Sequence, residues 1–404
     1  MTRPANLLRL PVAGALVLAL AGCDLQPSPG ALKFALDPAS VAVLADAPGK
    51  QKELEALLVE QFGTRAGPRY ALLASWKEQG LDPNHPEREL AGGGRAEFTA
   101  EAWAAIVAAN RQRLASEIAH APGPEAQRAL ENSYPSLVES AELYRTQCMH
   151  CHGVEGGGDG PTSATIDPKP RDFRKGIFKF TAVKDKARPR REDLEELLER
   201  GVYGTTMPSF LRLSLPERQG LVDYVRLLSI RGEVEALLVQ GWKDEEQLDE
   251  QAAREALALV WERWQKAREK VVAFEGPVPP DSPALRARGR QLYLDQKKGN
   301  CVSCHGPEGH GDGALAFKTD ARGRRTPAYK DDWGYDILPR DFSSGVFRGG
   351  SRPIDVYRRV YAGINGTPMP GIGETKGTDG QRLLSDDDLW ALVHFVRSLS
   401  ERAE

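Results

Sequence analysis

The sequence predicts a mainly α-helical protein. Two copies of one small domain follow a helical N-terminal extension and are joined by a helical linker. Three observations predict this. The pentapeptide CMHCH at Cys148–His152 recurs as CVSCH at Cys301–His305. Around each pentapeptide, four blocks of similar sequence appear in the same order, as expected of an internal repeat. Before and between the copies, stretches rich in helix formers carry apolar residues at helical spacing. A chain of 404 residues exceeds one ordinary core and points to two or three domains. Its 41% hydrophobic and 27% charged residues are those of a folded globular protein. A net charge of −3 offers no electrostatic case for nucleic-acid binding.

Residues 1–22 read as a signal peptide. Arg3 and Arg9 make a positive start, and the apolar run Leu10–Ala21 is too short to span a bilayer comfortably. Leu20-Ala21-Gly22-Cys23 resembles the lipobox of bacterial lipoproteins. That resemblance implies cleavage before Cys23, lipidation of its thiol, and tethering to a membrane by several acyl chains, which hold more firmly than one. An ordinary signal peptide with a chance cysteine is the competing reading. Asp24 follows Cys23, and in some bacteria an aspartate there retains a lipoprotein on the inner membrane. The implied place is the periplasmic face of the bacterial cell envelope, with the inner membrane favoured over the outer. Residues 23–134 form the N-terminal extension, and beyond Cys23 residues 24–134 carry no chemical motif. EFTAEAWAAIVAANRQRLASEIAHA has helical apolar spacing, DPNHPERELAGGGR reads as a loop, and the region as a mostly helical extension.

The first repeat, residues 135–232, holds Cys148, Cys151 and His152; the second, residues 285–404, holds Cys301, Cys304 and His305. C-x-x-C-H is the attachment pattern of c-type haem. Two thiols separated by two residues on a helical turn lie along one porphyrin edge and can add to its two vinyl groups. The next residue projects an imidazole beneath the ring to bind iron. A disulfide framework gives no reason for a histidine after each pair. A thioredoxin-like C-x-x-C needs a preceding strand, which the flanks do not show. A four-cysteine zinc site would have to join pairs lying in different repeats.

The matched blocks are AELYRTQCMHCHGVEGGGDGP with GRQLYLDQKKGNCVSCHGPEGHGDGA, PKPRDFRKGIFKF with ILPRDFSSGVFRGG, YGTTMPSF with NGTPMPGI, and LPERQGLVDYVRLLS with LSDDDLWALVHFVRSLS. Each copy resembles a small class I-like cytochrome c domain. The resemblance implies a leading helix into the haem motif and a closing helix that crosses it and packs on the haem edge. Tyr144 and Tyr293 fall on the leading helices, and Tyr224 and Phe395 on the closing ones. All four are expected to pack within their domains.

Two methionines, Met207 and Met369, occupy equivalent G-T-x-M-P positions. A thioether on a proline-stiffened loop can reach the distal iron face, and it stabilises ferrous iron relative to a second histidine. Filling a core gap is the ordinary alternative. His85, His120, His150, His310 and His394 have no histidine at the matching repeat position, and none is read as a ligand. His310 is expected on a solvent-facing loop and His394 exposed or half-buried. Arg171 and Arg340, in the two P-R-D-F blocks, are the propionate candidates, since guanidinium binds carboxylate through two parallel hydrogen bonds. Asp172 and Asp341 are expected to orient them; a turn with a solvated ion pair is the alternative. The family resemblance further suggests a carbonyl near Pro161 as acceptor for the proximal histidine, although the second copy has Ala314 there. The second copy also has the extra stretch LAFKTDARGRRTPAYKDDWGYDI, which could line its haem or a partner surface.

Residues 233–284 form the linker: a helical part with Trp261 and Trp264 on one face, both expected in a core, then the stiff FEGPVPPDSP. The resulting expectation is an electron-transfer protein rather than an enzyme, with two covalently bound haem c and His/Met-ligated irons. Its expected partners are redox proteins such as a quinol-oxidising complex or a terminal oxidase. A dihaem peroxidase, which needs an open iron, and a fixed electron-transfer subunit of a dehydrogenase or respiratory complex are the rival readings.

Overall fold

The computed structural model describes residues 33–70, 81–82, 85–89, 137–274 and 276–403. The signal segment, Cys23, His120 and the helix expected in EFTAEAWAAIVAANRQRLASEIAHA lie outside the described residues. The chain is mainly helical, as the sequence predicts. One local expectation is corrected. At the start of DPNHPERELAGGGR, β1 (Leu81–Asp82, beginning one residue before it) and β2 (His85–Glu89) pair as a short antiparallel hairpin instead of an irregular loop.

The described chain begins with α1 (Pro38–Val43) and α2 (Pro48–Phe62). Asp37 caps α1 by accepting from Ala39 N at 2.8 Å, and each helix has proline in its first turn, where the missing N–H costs nothing. Leu54, Leu57, Leu58 and Phe62 of α2 are buried. They do not form a separate module: they enter the core of the first repeat, where Phe62, Tyr70 and Trp261 make successive edge contacts at 6.1 and 5.8 Å.

The first repeat consists of α3 (Leu137–Gln147), the single turn α4 (Met149–His152), α5 (Arg191–Arg200) and α6 (Leu215–Glu245). Ser214 and Glu217 form a capping box that starts α6. This helix runs 31 residues, so positions 232 and 233 lie inside it. Gly232, in the middle of the helix, serves packing. A Cβ there would meet Arg174 O at 2.4 Å, so the missing side chain lets the P-R-D-F-R loop lie on the helix. From Gly220 to Glu235 every residue of α6 is buried, as expected of a helix covered on all sides. The linker helix α7 (Glu250–Gln265) folds back on α6 and α2, placing Trp261 and Trp264 in this core. Trp264 Nε1 donates to Glu233 Oε1 at 2.9 Å, which satisfies the indole.

From Val272 the linker also enters the second repeat. Val272 lies in that repeat's core, and Phe274 meets Tyr357 at 5.8 Å and Trp390 at 5.1 Å. This second core is built by α8 (Pro283–Leu294), the turn α9 (Val302–His305), α10 (Pro353–Ala362) and α11 (Asp386–Ser398). His394 is 2% exposed, against the expectation of an exposed or half-buried residue. Its Nε2 lies 2.9 Å from Pro279 O, so the polar ring is buried by the linker that lies over it. The extra stretch of the second copy forms two small antiparallel pairs. These are β3 (Phe317–Thr319) with β4 (Arg325–Pro327), and β5 (Tyr329–Lys330) with β6 (Asp336–Ile337).

The two repeats meet along a polar seam. Arg200 lies 3.7 Å from Asp355, Arg352 pairs with Glu196, and Asn365 Nδ2 donates to Ala187 O at 3.3 Å. Lys184 N donates to Lys270 O at 2.9 Å and Val272 N to Ala182 O at 2.7 Å, stitching the linker to the first repeat.

Candidate functional site

Each C-x-x-C-H segment is one helical turn held by its leading helix. His152 N donates to Cys148 O at 2.9 Å and His305 N to Cys301 O at 2.8 Å, so both cysteines and the histidine are fixed on a common turn. Tyr144 Oη donates to Gly153 O and Tyr293 Oη to Gly306 O, both at 2.8 Å. The same tyrosines lean on the closing helices: Tyr144 on Tyr224 at 5.1 Å and Tyr293 on Phe395 at 5.2 Å. One residue on the leading helix therefore locks both the haem-motif turn and the helix crossing. All four motif cysteines are free thiols. Among the described residues no group of three or more histidine, cysteine or acidic side chains is placed to hold a metal. The described residues thus assemble no four-ligand zinc site.

The two motif histidines are placed alike. His152 Nδ1 lies 2.9 Å from Arg171 O, and His305 Nδ1 lies 3.4 Å from Arg340 O. A neutral imidazole donating from Nδ1 presents Nε2 as a ligand. Burial drops both rings to about 4, which keeps them neutral in the haem-free chain. The acceptor is therefore the arginine carbonyl of P-R-D-F, not a carbonyl near Pro161. Because P-R-D-F supplies the acceptor in both copies, Ala314 in place of Pro161 leaves this contact intact. Phe173 and Phe342 of the same blocks stack on the histidines at 4.5 and 4.7 Å, and next on Phe178 and Phe347 at 5.8 and 5.9 Å. Sequence reasoning missed this aromatic stack. The signal was present as the repeated F-x-x-G-[IV]-F within the matched blocks.

The glycine-rich loop allows the P-R-D-F segment to approach. Gly158 and Gly311 have φ of 75° and 76°, and a Cβ would meet Pro170 O at 2.6 Å and Pro339 O at 2.5 Å. Each of these glycines donates its N–H to the carbonyl of its proximal histidine, at 2.8 and 2.9 Å.

The G-T-x-M-P loops are also built alike. Met207 N donates to Thr205 Oγ1 at 3.1 Å and Met369 N to Thr367 Oγ1 at 3.2 Å, so the threonine of the motif sets the methionine's backbone. Val202 N and Ile364 N donate to the carbonyls of Met207 and Met369, at 3.1 and 3.3 Å.

One cavity of about 1520 Å³ is lined by all four motif cysteines, both proximal histidines, both methionines and both P-R-D-F arginines. The structure thus brings every expected haem-site residue to a single space shared by the two repeats. Its walls match what a haem needs: thiols for vinyl groups, neutral imidazoles and thioethers for iron, an aromatic and aliphatic lining, and guanidinium groups for carboxylates. The aspartates behave otherwise than expected. Asp172 accepts from Arg174 Nε and Nη2, both at 2.9 Å, and Asp341 from Ser343 Oγ at 2.7 Å; neither orients the arginine beside it. Arg171 instead lies with its guanidinium carbon 3.5 Å from the Trp333 ring, and burial lowers it to about 10. His150 and His310 are exposed.

The family model described as Cytochrome c matches residues 137–229 and 286–400, more than half of the chain. No curated protein matches significantly. Among solved structures, a chain of the reducing HAO-like protein complex of Kuenenia stuttgartiensis is similar at 29% identity and a TM-score of 0.48, covering 66% of this chain and 97% of that one. The chain belongs to the cytochrome c family, whose domains bind haem c covalently and transfer electrons.

Proposed function

We propose that this cytochrome c is a dihaem electron relay of the bacterial cell envelope. One haem c is bound through Cys148 and Cys151 and the other through Cys301 and Cys304. The iron ligands are His152 with Met207 and His305 with Met369. Arg171 and Arg340 hold propionate carboxylates. Each bound haem supplies one-electron redox chemistry. The chain's own residues fix the ring, keep the proximal imidazole neutral and shield the iron from water. The observation that carries the reading is the single cavity onto which two complete sets of C-x-x-C-H and methionine residues open. With a histidine and a methionine to hold each iron, no coordination position would be left open for peroxide, which favours electron transfer over peroxidase chemistry.

The sequence around Cys23 supports a lipid anchor, and among the described residues no helix is long and apolar enough to cross a membrane. Tethering would hold the relay near membrane redox partners, for which a quinol-oxidising complex or a terminal oxidase is a suitable donor or acceptor. Residues 33–70 support a chain whose leading segment braces the first haem domain, because they share its core.

The test is an optical spectrum of the matured protein, oxidised and reduced, with a pyridine haemochrome count. Two covalent haems, low-spin in both states and with a methionine–iron charge-transfer band, are expected. A high-spin component without that band would move the peroxidase reading ahead. Fewer than two haems in a host competent for attachment would overturn the dihaem assignment. For the anchor, Cys23→Ser is expected to release the protein from the membrane fraction.

A further inference from the structure

Three polar side chains on the wall of the shared cavity have a buried nitrogen with no hydrogen-bond partner among the described residues. They are Arg340, Arg348 and Arg359, in each case at Nε. All three belong to the second repeat. A buried guanidinium N–H without an acceptor costs free energy, and a group of them facing one space calls for an anion. Neighbouring carboxylates act on these groups through space but accept no hydrogen bond from these nitrogens. Arg348 is faced by Arg340 and Asp167, and burial followed by the Arg340 charge holds it below its ordinary range. Arg359 donates from Nη2 to the carbonyl of Thr181 in the first repeat. Asp193 and Asp355 attract it, while Arg358 and Arg200 repel it.

The repeat shows which of these groups are additions. Gly201 N donates to Leu197 O and Gly363 N to Arg359 O, so Arg359 stands where the first repeat has Leu197. Gly176 N donates to Phe173 O and Gly345 N to Phe342 O, which aligns Arg348 with Lys179. In the first repeat the counterpart cations already have company: Lys179 donates to Asp331 Oδ2 at 2.8 Å, and Arg171 lies on Trp333.

We propose that Arg348 and Arg359, together with Arg340, form a carboxylate-binding cluster that holds haem propionates at the seam between the two domains. This rests on the dihaem reading. Guanidinium matches carboxylate bidentately, and the three groups can neutralise more than one propionate. Because the cluster lies on a cavity shared by both sites, it sets the charge near the haem it holds and favours the less positive ferrous state there.

The experiment uses the full holoprotein and the first repeat's own solutions as variants: Arg359→Leu and Arg348→Lys, with Arg348→Gln to remove the charge. Haem count, spectroelectrochemical titration and the resonance Raman propionate bending band are read for each. Arg359→Leu and Arg348→Gln are expected to retain two haems, lower one of the two midpoint potentials, leave the other in place, and shift the propionate band. Arg348→Lys should restore most of the lost potential. Two haems with both potentials and the propionate band unmoved in Arg348→Gln and Arg359→Leu would overturn the cluster alone. Fewer than two haems in the unmutated protein would instead overturn the dihaem reading on which it rests.

Discussion

In the first haem domain, Arg171 lies 3.5 Å from the Trp333 ring and Lys179 is bonded to Asp331; both partners come from the extra stretch of the second domain. In the second domain, Arg340 and Arg348 occupy the same repeat positions, and each keeps a buried Nε without a partner among the described residues. The motifs that hold haem are nearly superimposable in their bonding. Both tyrosines reach the carbonyl after the motif, both histidines face an arginine carbonyl, and both methionines are set by threonine. Duplicated chemistry has thus been placed in two different environments. The covers also differ. The first domain shares its core with residues 33–70 and with α7, whereas the second closes around the shorter α11 and the tail of the linker. Sites with equal ligands and unequal charge and cover should have unequal potentials.

The largest effect that would sharpen this comparison is loss of a proposed iron ligand. His152→Ala and His305→Ala should each abolish one wave of a redox titration and leave the other. If His152→Ala removed both waves while His305→Ala removed one, the first domain would be the scaffold on which the second forms.

Next come the two cores. Trp390 is fully buried and stacks on Tyr357 at 4.6 Å, and Trp264 is buried against Phe178 and Glu233. Either residue changed to alanine should cost about 3–5 kcal/mol in thermal or denaturant unfolding. Limited proteolysis should then separate them: Trp264→Ala should expose residues 33–70, and Trp390→Ala should not.

Trp333→Ala removes the cover from Arg171 and should cost about 1–2 kcal/mol at the seam. It should also move the first domain's potential more than the second's; equal shifts would break the assignment of different environments.

Acid should affect the domains alike. In the haem-free chain both proximal imidazoles are held near about 4 by burial, below the ordinary value of 6.5. The unfolded chain therefore takes up these protons first, and stability should fall as pH drops from 6.5 towards about 4 and level below it. Denaturation curves of the haem-free protein across that window check the sign. The smallest effect is expected from Lys184→Ala, which breaks the seam pair with Glu374 at the surface and should cost no more than about 1 kcal/mol.

The sequence alone determined what covalent pattern and spacing determine. A C-x-x-C-H turn needs only its own five residues to place two thiols and an imidazole, and a duplicated block order makes two such domains legible without coordinates. The helical class and the core placement of Trp261 and Trp264 were readable too, because periodicity and side-chain volume are local properties. What depends on contacts between distant residues was decided only by the tertiary structure. Helix α6 runs on through Gly232 to Glu245, and the missing Cβ there admits the backbone of Arg174. The histidine acceptor fell to Arg171 and not to the neighbourhood of Pro161, because a carbonyl's direction depends on how the loop folds back. Asp172 turned to Arg174, a choice between two adjacent arginines that spacing cannot make. The meeting of both sites in one cavity, and the bare guanidinium nitrogens on its wall, follow from how the repeats pack across their seam; no pattern within either repeat encodes that contact.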